Sequence, residues 1–94
     1  NYSGSVSISS STLSGNSANF SGGGINNGGN LSISSSTISS NSASGGGGIA
    51  NFGNLSISSS TISGNLVTPI PAILPGSGGG IFNDGSLSIS SSTI

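Results

Sequence analysis

Leu31-Ser32-Ile33-Ser34-Ser35-Ser36-Thr37-Ile38-Ser39 is the stretch whose reading decides the fold. It returns almost letter for letter at residues 55–63 and, shortened, at 87–94. A drifted copy stands at Val6-Ser7-Ile8-Ser9-Ser10-Ser11-Thr12-Leu13-Ser14. The first residues of the copies, Val6, Leu31, Leu55 and Leu87, are 25, 24 and 32 residues apart. Inside the phrase the apolar residues alternate. Leu31 and Ile33 face one way and Ser32 and Ser34 the other, the period of a half-buried strand. Ser35-Ser36 shifts that phase by one residue, so a corner there is needed to return Ile38 to the inside. A helix is excluded because the phrase lacks a 3.6-residue period and its Gly and Ser runs oppose helix formation.

The flanks repeat as well. Ile25-Asn26-Asn27-Gly28-Gly29-Asn30, Ile49-Ala50-Asn51-Phe52-Gly53-Asn54 and Ile81-Phe82-Asn83-Asp84-Gly85-Ser86 align without gaps. So do Ser14-Gly15-Asn16, Ser39-Ser40-Asn41 and Ser63-Gly64-Asn65. Gly and Asn tolerate positive φ, which makes these turns a second corner. The Gly-rich run into Ile49 reads as a third strand, with Gly47 inward beside Ile49, and residues 51–54 as a third corner. Repeats of this length signal stacked architectures. The expected fold is all-β: a single parallel β-helix, or β-solenoid, of about 3.5 coils of about 24 residues. One domain spans 1–94, with coils at about 1–25, 26–49 and 50–82 and a partial coil at 83–94.

Successive coils of such a fold lie about 4.8 Å apart, so equivalent residues touch. The expected internal stacks are Val6/Leu31/Leu55/Leu87, Ile8/Ile33/Ile57/Ile89, Leu13/Ile38/Ile62/Ile94 and Ile25/Ile49/Ile81. Ser and Thr ladders are expected outside, where identical charges would repel. Asn27, Asn51 and Asn83 should stack at one corner, and Asn16, Asn41 and Asn65 at another. Stacked amides satisfy one another and the turn backbone, so these asparagines read as structural ladders rather than as a site for a polar ligand.

Two features break the rhythm. The third cycle carries an excess of apolar, Pro-rich sequence at 66–77, whose prolines bar it from a ladder. It reads as a loop that leaves the coil. Leu66, Val67, Ile70, Ile73 and Leu74 are its candidate contacts with another subunit, since a contiguous exposed apolar patch marks an interaction site. The competing reading has the loop fold back over its own side. The second feature is the ends. Asn1-Tyr2-Ser3-Gly4-Ser5 matches residues 26–30 in place, and Ile94 falls in mid-coil. Open sheet edges invite pairing. The chain is therefore expected either to belong to a longer solenoid or to stack end to end, with Ile94 among the contacts.

Composition restricts the chemistry. The chain has no Lys, Arg, His or Cys, and Asp84 is its only charged side chain. By composition alone it is a Gly/Ser linker; the fixed return of its isoleucines argues against that. Without basic residues there is no footprint for nucleic acid or anionic lipid. No apolar run is long enough to cross a bilayer. The usual catalytic bases and activated nucleophiles are absent, so no enzyme, cofactor or metal site is expected. One carboxylate makes neither an acid/base pair nor a calcium cage. Asn1-Tyr2-Ser3, Asn30-Leu31-Ser32 and Asn54-Leu55-Ser56 match the N-glycosylation sequon, as a by-product of the repeat.

The phrase LSISSSTISGN, followed by Gly-Gly-Gly-Ile and a further LSISSSTI, resembles the right-handed parallel β-helix repeats of secreted bacterial surface proteins. These include autotransporter adhesin passengers and polymorphic outer-membrane proteins. Gly22-Gly23-Gly24-Ile25, Gly46-Gly47-Gly48-Ile49 and Gly78-Gly79-Gly80-Ile81 are similar to the Gly-Gly-Ala-Ile signature of the latter. The resemblance implies a right-handed coil and an extracellular or cell-surface location. The expected function is a structural segment of a fibre, filament or stalk, self-assembling by head-to-tail stacking, with itself as partner. An adhesin or glycan-binding module is the alternative, with another surface protein or a surface glycan as partner. It would need an exposed aromatic platform from Tyr2, Phe20, Phe52 and Phe82. Ice binding ranks last, because each repeat offers a single Thr.

Overall fold

A computed structural model describes residues 1–68 and 77–94. In chain order its strands are β1 (Ser5–Ser9), β2 (Thr12–Ser14), β3 (Ile25–Asn27), β4 (Asn30–Ser34), β5 (Thr37–Ser39) and β6 (Ser42–Ala43). They continue with β7 (Ile49–Asn51), β8 (Asn54–Ser58), β9 (Thr61–Ser63), β10 (Leu66–Val67), β11 (Ile81–Asn83) and β12 (Ser86–Ser90). The described residues are thus all-β, without helix. Every strand pairing is parallel and joins the same segment of successive repeats. The sheet orders are β1-β4-β8-β12, β2-β5-β9, β11-β7-β3 and β10-β6.

The register follows from the alternation in the repeated phrase. Val6 pairs with Leu31, Leu31 with Leu55, and Leu55 with Leu87. A slip of one residue would carry every Leu and Ile of the sheet to the solvent face. Ser10, Ser35, Ser59 and Ser91 all adopt left-handed backbone, at φ 49, 49, 48 and 48°. That conformation is the corner the phase shift demands. It turns the chain between β4 and β5 and brings Ile38 onto the side that holds Leu31 and Ile33.

The core consists of Leu31, Ile33, Ile38, Ile49, Leu55, Ile57 and Ile62, with Ile8, Leu13, Ile25, Ile81 and Leu87 packed against it. Each fully buried Leu or Ile contributes about 1.5–3 kcal/mol. Burial is complete only in the middle repeats. Val6 and Ile89 occupy the same columns in the outer strands and are each 40% exposed.

Four features depart from the sequence-based expectation. The third strand is Ile49–Asn51 and not the Gly run before it. Gly46, Gly47 and Gly48 still donate to the next repeat, at 2.9–3.1 Å to Ser77, Gly78 and Gly80 carbonyls. Gly46 is left-handed at φ 62°, which breaks the extended path. A Cβ on Gly47 would lie 2.6 Å from the Leu66 carbonyl oxygen, so only glycine fits that approach. Second, each middle repeat holds a further short strand. Leu66 and Val67, expected in the departing loop, instead form β10 and pair with Ser42 and Ala43. Leu66 N–H donates to the Asn41 carbonyl at 2.8 Å, and Thr68 N–H to the Ala43 carbonyl at 2.8 Å. The ladder persists because the first residue without an N–H is Pro69.

Third, the continuous hydroxyl ladder runs through the corners rather than along the outer face. Ser36 and Ser60 are buried. The N–H groups of Ser11, Ser36 and Ser60 donate to Oγ of Ser36, Ser60 and Ser92 respectively, each at 3.1 Å. Those hydroxyls donate in turn to the carbonyls of Ser34, Ser58 and Ser90 at 2.8 Å. The ladder links hydroxyl to backbone, which satisfies the amide that the left-handed corner frees. Fourth, the first residues are offset by one. Asn1, not Tyr2, occupies the place of Asn27: Gly28 N–H donates to the Asn1 carbonyl at 2.6 Å. Ser5 nevertheless pairs with Asn30. The intervening Tyr2-Ser3-Gly4 is one residue longer than Gly28-Gly29 and absorbs the difference.

Candidate functional site

Both asparagine columns form as expected. Asn27 Nδ2 donates to Asn51 Oδ1 at 2.8 Å, and Asn51 Nδ2 to Asn83 Oδ1 at 2.8 Å. Asn1 extends this column, with Nδ2 2.9 Å from Asn27 Oδ1. In the second column Asn16 Nδ2 donates to Asn41 Oδ1, and Asn41 Nδ2 to Asn65 Oδ1, each at 3.0 Å. The remaining amide capacity goes to backbone. Asn51 Nδ2 also meets the Gly53 and Ser86 carbonyls at 3.1 and 3.0 Å, and Asn65 Nδ2 the Ile38 carbonyl at 3.0 Å. Asn27, Asn41 and Asn51 have no solvent exposure. Among the described residues no buried side-chain nitrogen or oxygen lacks a partner. Asn27, Asn41 and Asn51 therefore hold corners and present no exposed amide to a soluble ligand. Placement on β3 and β7 explains the depth of Asn27 and Asn51: Ile49 and Asn51 share the inward face of β7.

The candidate assembly contacts divide. Leu66 is 60% exposed and Val67 half-buried on β10. Ile94 is 55% exposed at the top of the Leu13/Ile38/Ile62 column, next to Gly80 and Ile62. Ile70, Ile73 and Leu74 lie outside the described residues. Asp84 is exposed, and among the described residues no three acidic or metal-ligating side chains cluster. Nor is any described helix long and apolar enough to cross a membrane.

The aromatic residues separate in a way the linear sequence conceals. Tyr2 stands alone, 95% exposed. Phe20, Phe52 and Phe82 converge on one recess of about 320 Å³, lined also by Ser21, Gly45 and Ser77. The Phe52 and Phe82 rings are 5.8 Å apart and tilted by 56°. Phe52 follows the ladder residue Asn51 and Phe82 precedes the ladder residue Asn83. They are thus diagonal neighbours on adjacent repeats, within aromatic reach across a sheet. Phe20 reaches the recess because Ser21 bridges to Gly45 and Gly45 to Ser77. Left-handed Gly22, Gly46 and Gly78, at φ 67, 62 and 68°, form the tight turns that follow these bridges. The offset of Phe52 and Phe82 about the aligned asparagines was the sequence signal for this recess. A second, larger groove of about 560 Å³ crosses the outer face of the β1-β4-β8-β12 sheet, over rows such as Ser7, Ser32, Ser56 and Ser88, and carries no aromatic or charged side chain. Comparison of the chain with protein-family models, with curated proteins and with solved structures finds no match in any of the three.

Proposed function

We propose that the four sheets close into one right-handed parallel β-solenoid of about three and a half coils, and that it serves as a structural unit of an extracellular fibre or surface stalk, built by head-to-tail stacking. One observation carries the reading. The two outer strands of the four-stranded sheet have nearly the same sequence, SVSIS in β1 and SLSIS in β12, in register with the NLSIS strands between them. A second copy that laid its β1 on β12 would meet the pattern each inner strand already meets. Val6 and Ile89, 40% exposed, would gain the cover that Leu31 and Ile57 have. The resemblance to secreted surface repeats supports the location, and a chain without Lys or Arg denies trypsin-like proteases their sites.

Charge placed on the outward row tests the assembly. Ser7 and Ser88 are exposed and sit on the first and last strands of the sheet, about 14 Å apart within one molecule. Stacking would set Ser88 directly beneath Ser7 of the next copy. We expect the native protein to form filaments in electron micrographs and to sediment as long assemblies. The pair Ser7→Lys with Ser88→Lys should abolish them, since like charges directly opposite destabilise a sheet. Ser7→Lys with Ser88→Glu should restore them. A native protein that remains a folded monomer at its solubility limit sinks the proposal.

A further inference from the structure

We propose that the recess lined by Phe20, Phe52 and Phe82 binds a neutral saccharide ring. The inference does not depend on assembly, because every residue of the lining belongs to one molecule.

The lining selects the ligand. Phe20 and Phe52 are 60% and 47% exposed. Aromatic faces are electron-rich and attract polarised C–H groups, which a pyranose presents on its less hydroxylated side. The rim supplies neutral hydrogen-bonding groups. Ser21 Oγ accepts from Asn26 Nδ2 at 3.0 Å, which holds the hydroxyl in place and leaves its proton to donate. Ser77 contributes a second hydroxyl to the lining. Ser44, in the same lining, is excluded as a donor: it is fully buried, with Oγ 2.9 and 2.8 Å from the Asn19 and Thr68 carbonyls. The chain has no cationic side chain to hold an anionic ligand. A purely apolar ligand would leave the Ser21 hydroxyl proton without an acceptor. The volume of about 320 Å³ is at the small end of ligand sites and suits a mono- or disaccharide.

The chain has three Phe and one Tyr, so its aromatic proton spectrum is simple enough to assign to single residues. The test titrates native protein with the methyl glycosides of glucose, galactose, mannose and N-acetylglucosamine. We expect saturable shifts of the Phe52 and Phe82 ring protons for at least one glycoside, with a Kd of about 1 mM, the weak range of a small open site. Tyr2 should not move. Phe82→Leu, which keeps apolar bulk but removes the aromatic face, should weaken binding by about tenfold. Phe52→Ala should do at least as much. Unchanged far-UV circular dichroism in both variants would show that the fold survives. Tyr2→Ala should bind as the native protein does. Linear shifts shared by Tyr2 and the phenylalanines, retention of affinity in Phe82→Leu, or no shift with any glycoside would each overturn the assignment.

Discussion

At the scale of single residues, the fold depends on polar side chains that do the work of backbone. Asn51 is buried between two amides and two carbonyls. Replacing it with Ala leaves the Asn27 amide and the corner carbonyls unmatched, so Asn51→Ala should cost about 3 kcal/mol in urea unfolding. Asn30→Ala, on the exposed row, should cost under about 0.5 kcal/mol. Ser40 makes the opposite case. It is left-handed at φ 55°, where the neighbouring repeats place Gly15 at 69° and Gly64 at 62°. Removing its Cβ relieves that strain, and Ser40→Gly should raise stability by about 1 kcal/mol. The amide columns were legible in the sequence because Asn recurs at aligned turns. The Ser36 and Ser60 ladder was not, because nothing in a run of three serines says which one turns inward until the left-handed residue between strands is placed.

At the scale of elements, period and spacing foretold the long strands and their register. The alternation over residues 31–34 admits one inward face, and the phase shift before Ile38 admits one corner. The short strands leave no mark in the sequence for a physical reason. β6 and β10 are two residues long, too short to show a period, and are held by inter-repeat hydrogen bonds rather than by an apolar face. Prolines further along drew the whole of 66–77 into the expected loop, although Leu66 still has the N–H that the ladder needs. This contrast is testable. Leu66→Pro deletes the bond to the Asn41 carbonyl and should destabilise by about 3 kcal/mol. Leu66→Ala removes only a largely exposed side chain and should be near neutral. Thermal unfolding followed by circular dichroism distinguishes them. The aromatic recess lies between elements, where strand-by-strand reading does not reach.

At the scale of the molecule, stability owes nothing to ion pairs, for the chain carries a single charged side chain. Its unfolding midpoint should therefore be insensitive to sodium chloride across the range where screening weakens surface pairs. Hydrogen exchange should be slowest in β4 and β8, which are paired on both sides, and faster in β1 and β12. In assembled material β1 and β12 should acquire the protection of the inner strands; exchange that stays fast there would place the contact elsewhere. The buried columns hold one more property. Within the sheets, backbone hydrogen bonds point both ways, as Ser35 N–H to the Ser58 carbonyl and Thr37 N–H to the Ser11 carbonyl show, and their dipoles largely cancel. Two buried columns do not cancel. Asn1 to Asn27 to Asn51 to Asn83 and Ser11 to Ser36 to Ser60 to Ser92 donate toward the later repeat, whereas Asn41 and Asn65 also donate back to the Leu13 and Ile38 carbonyls. An almost uncharged molecule is in this way an axial vector, and vectors laid nose to tail add. Long assemblies should turn in an electric field with a moment that grows in proportion to their length.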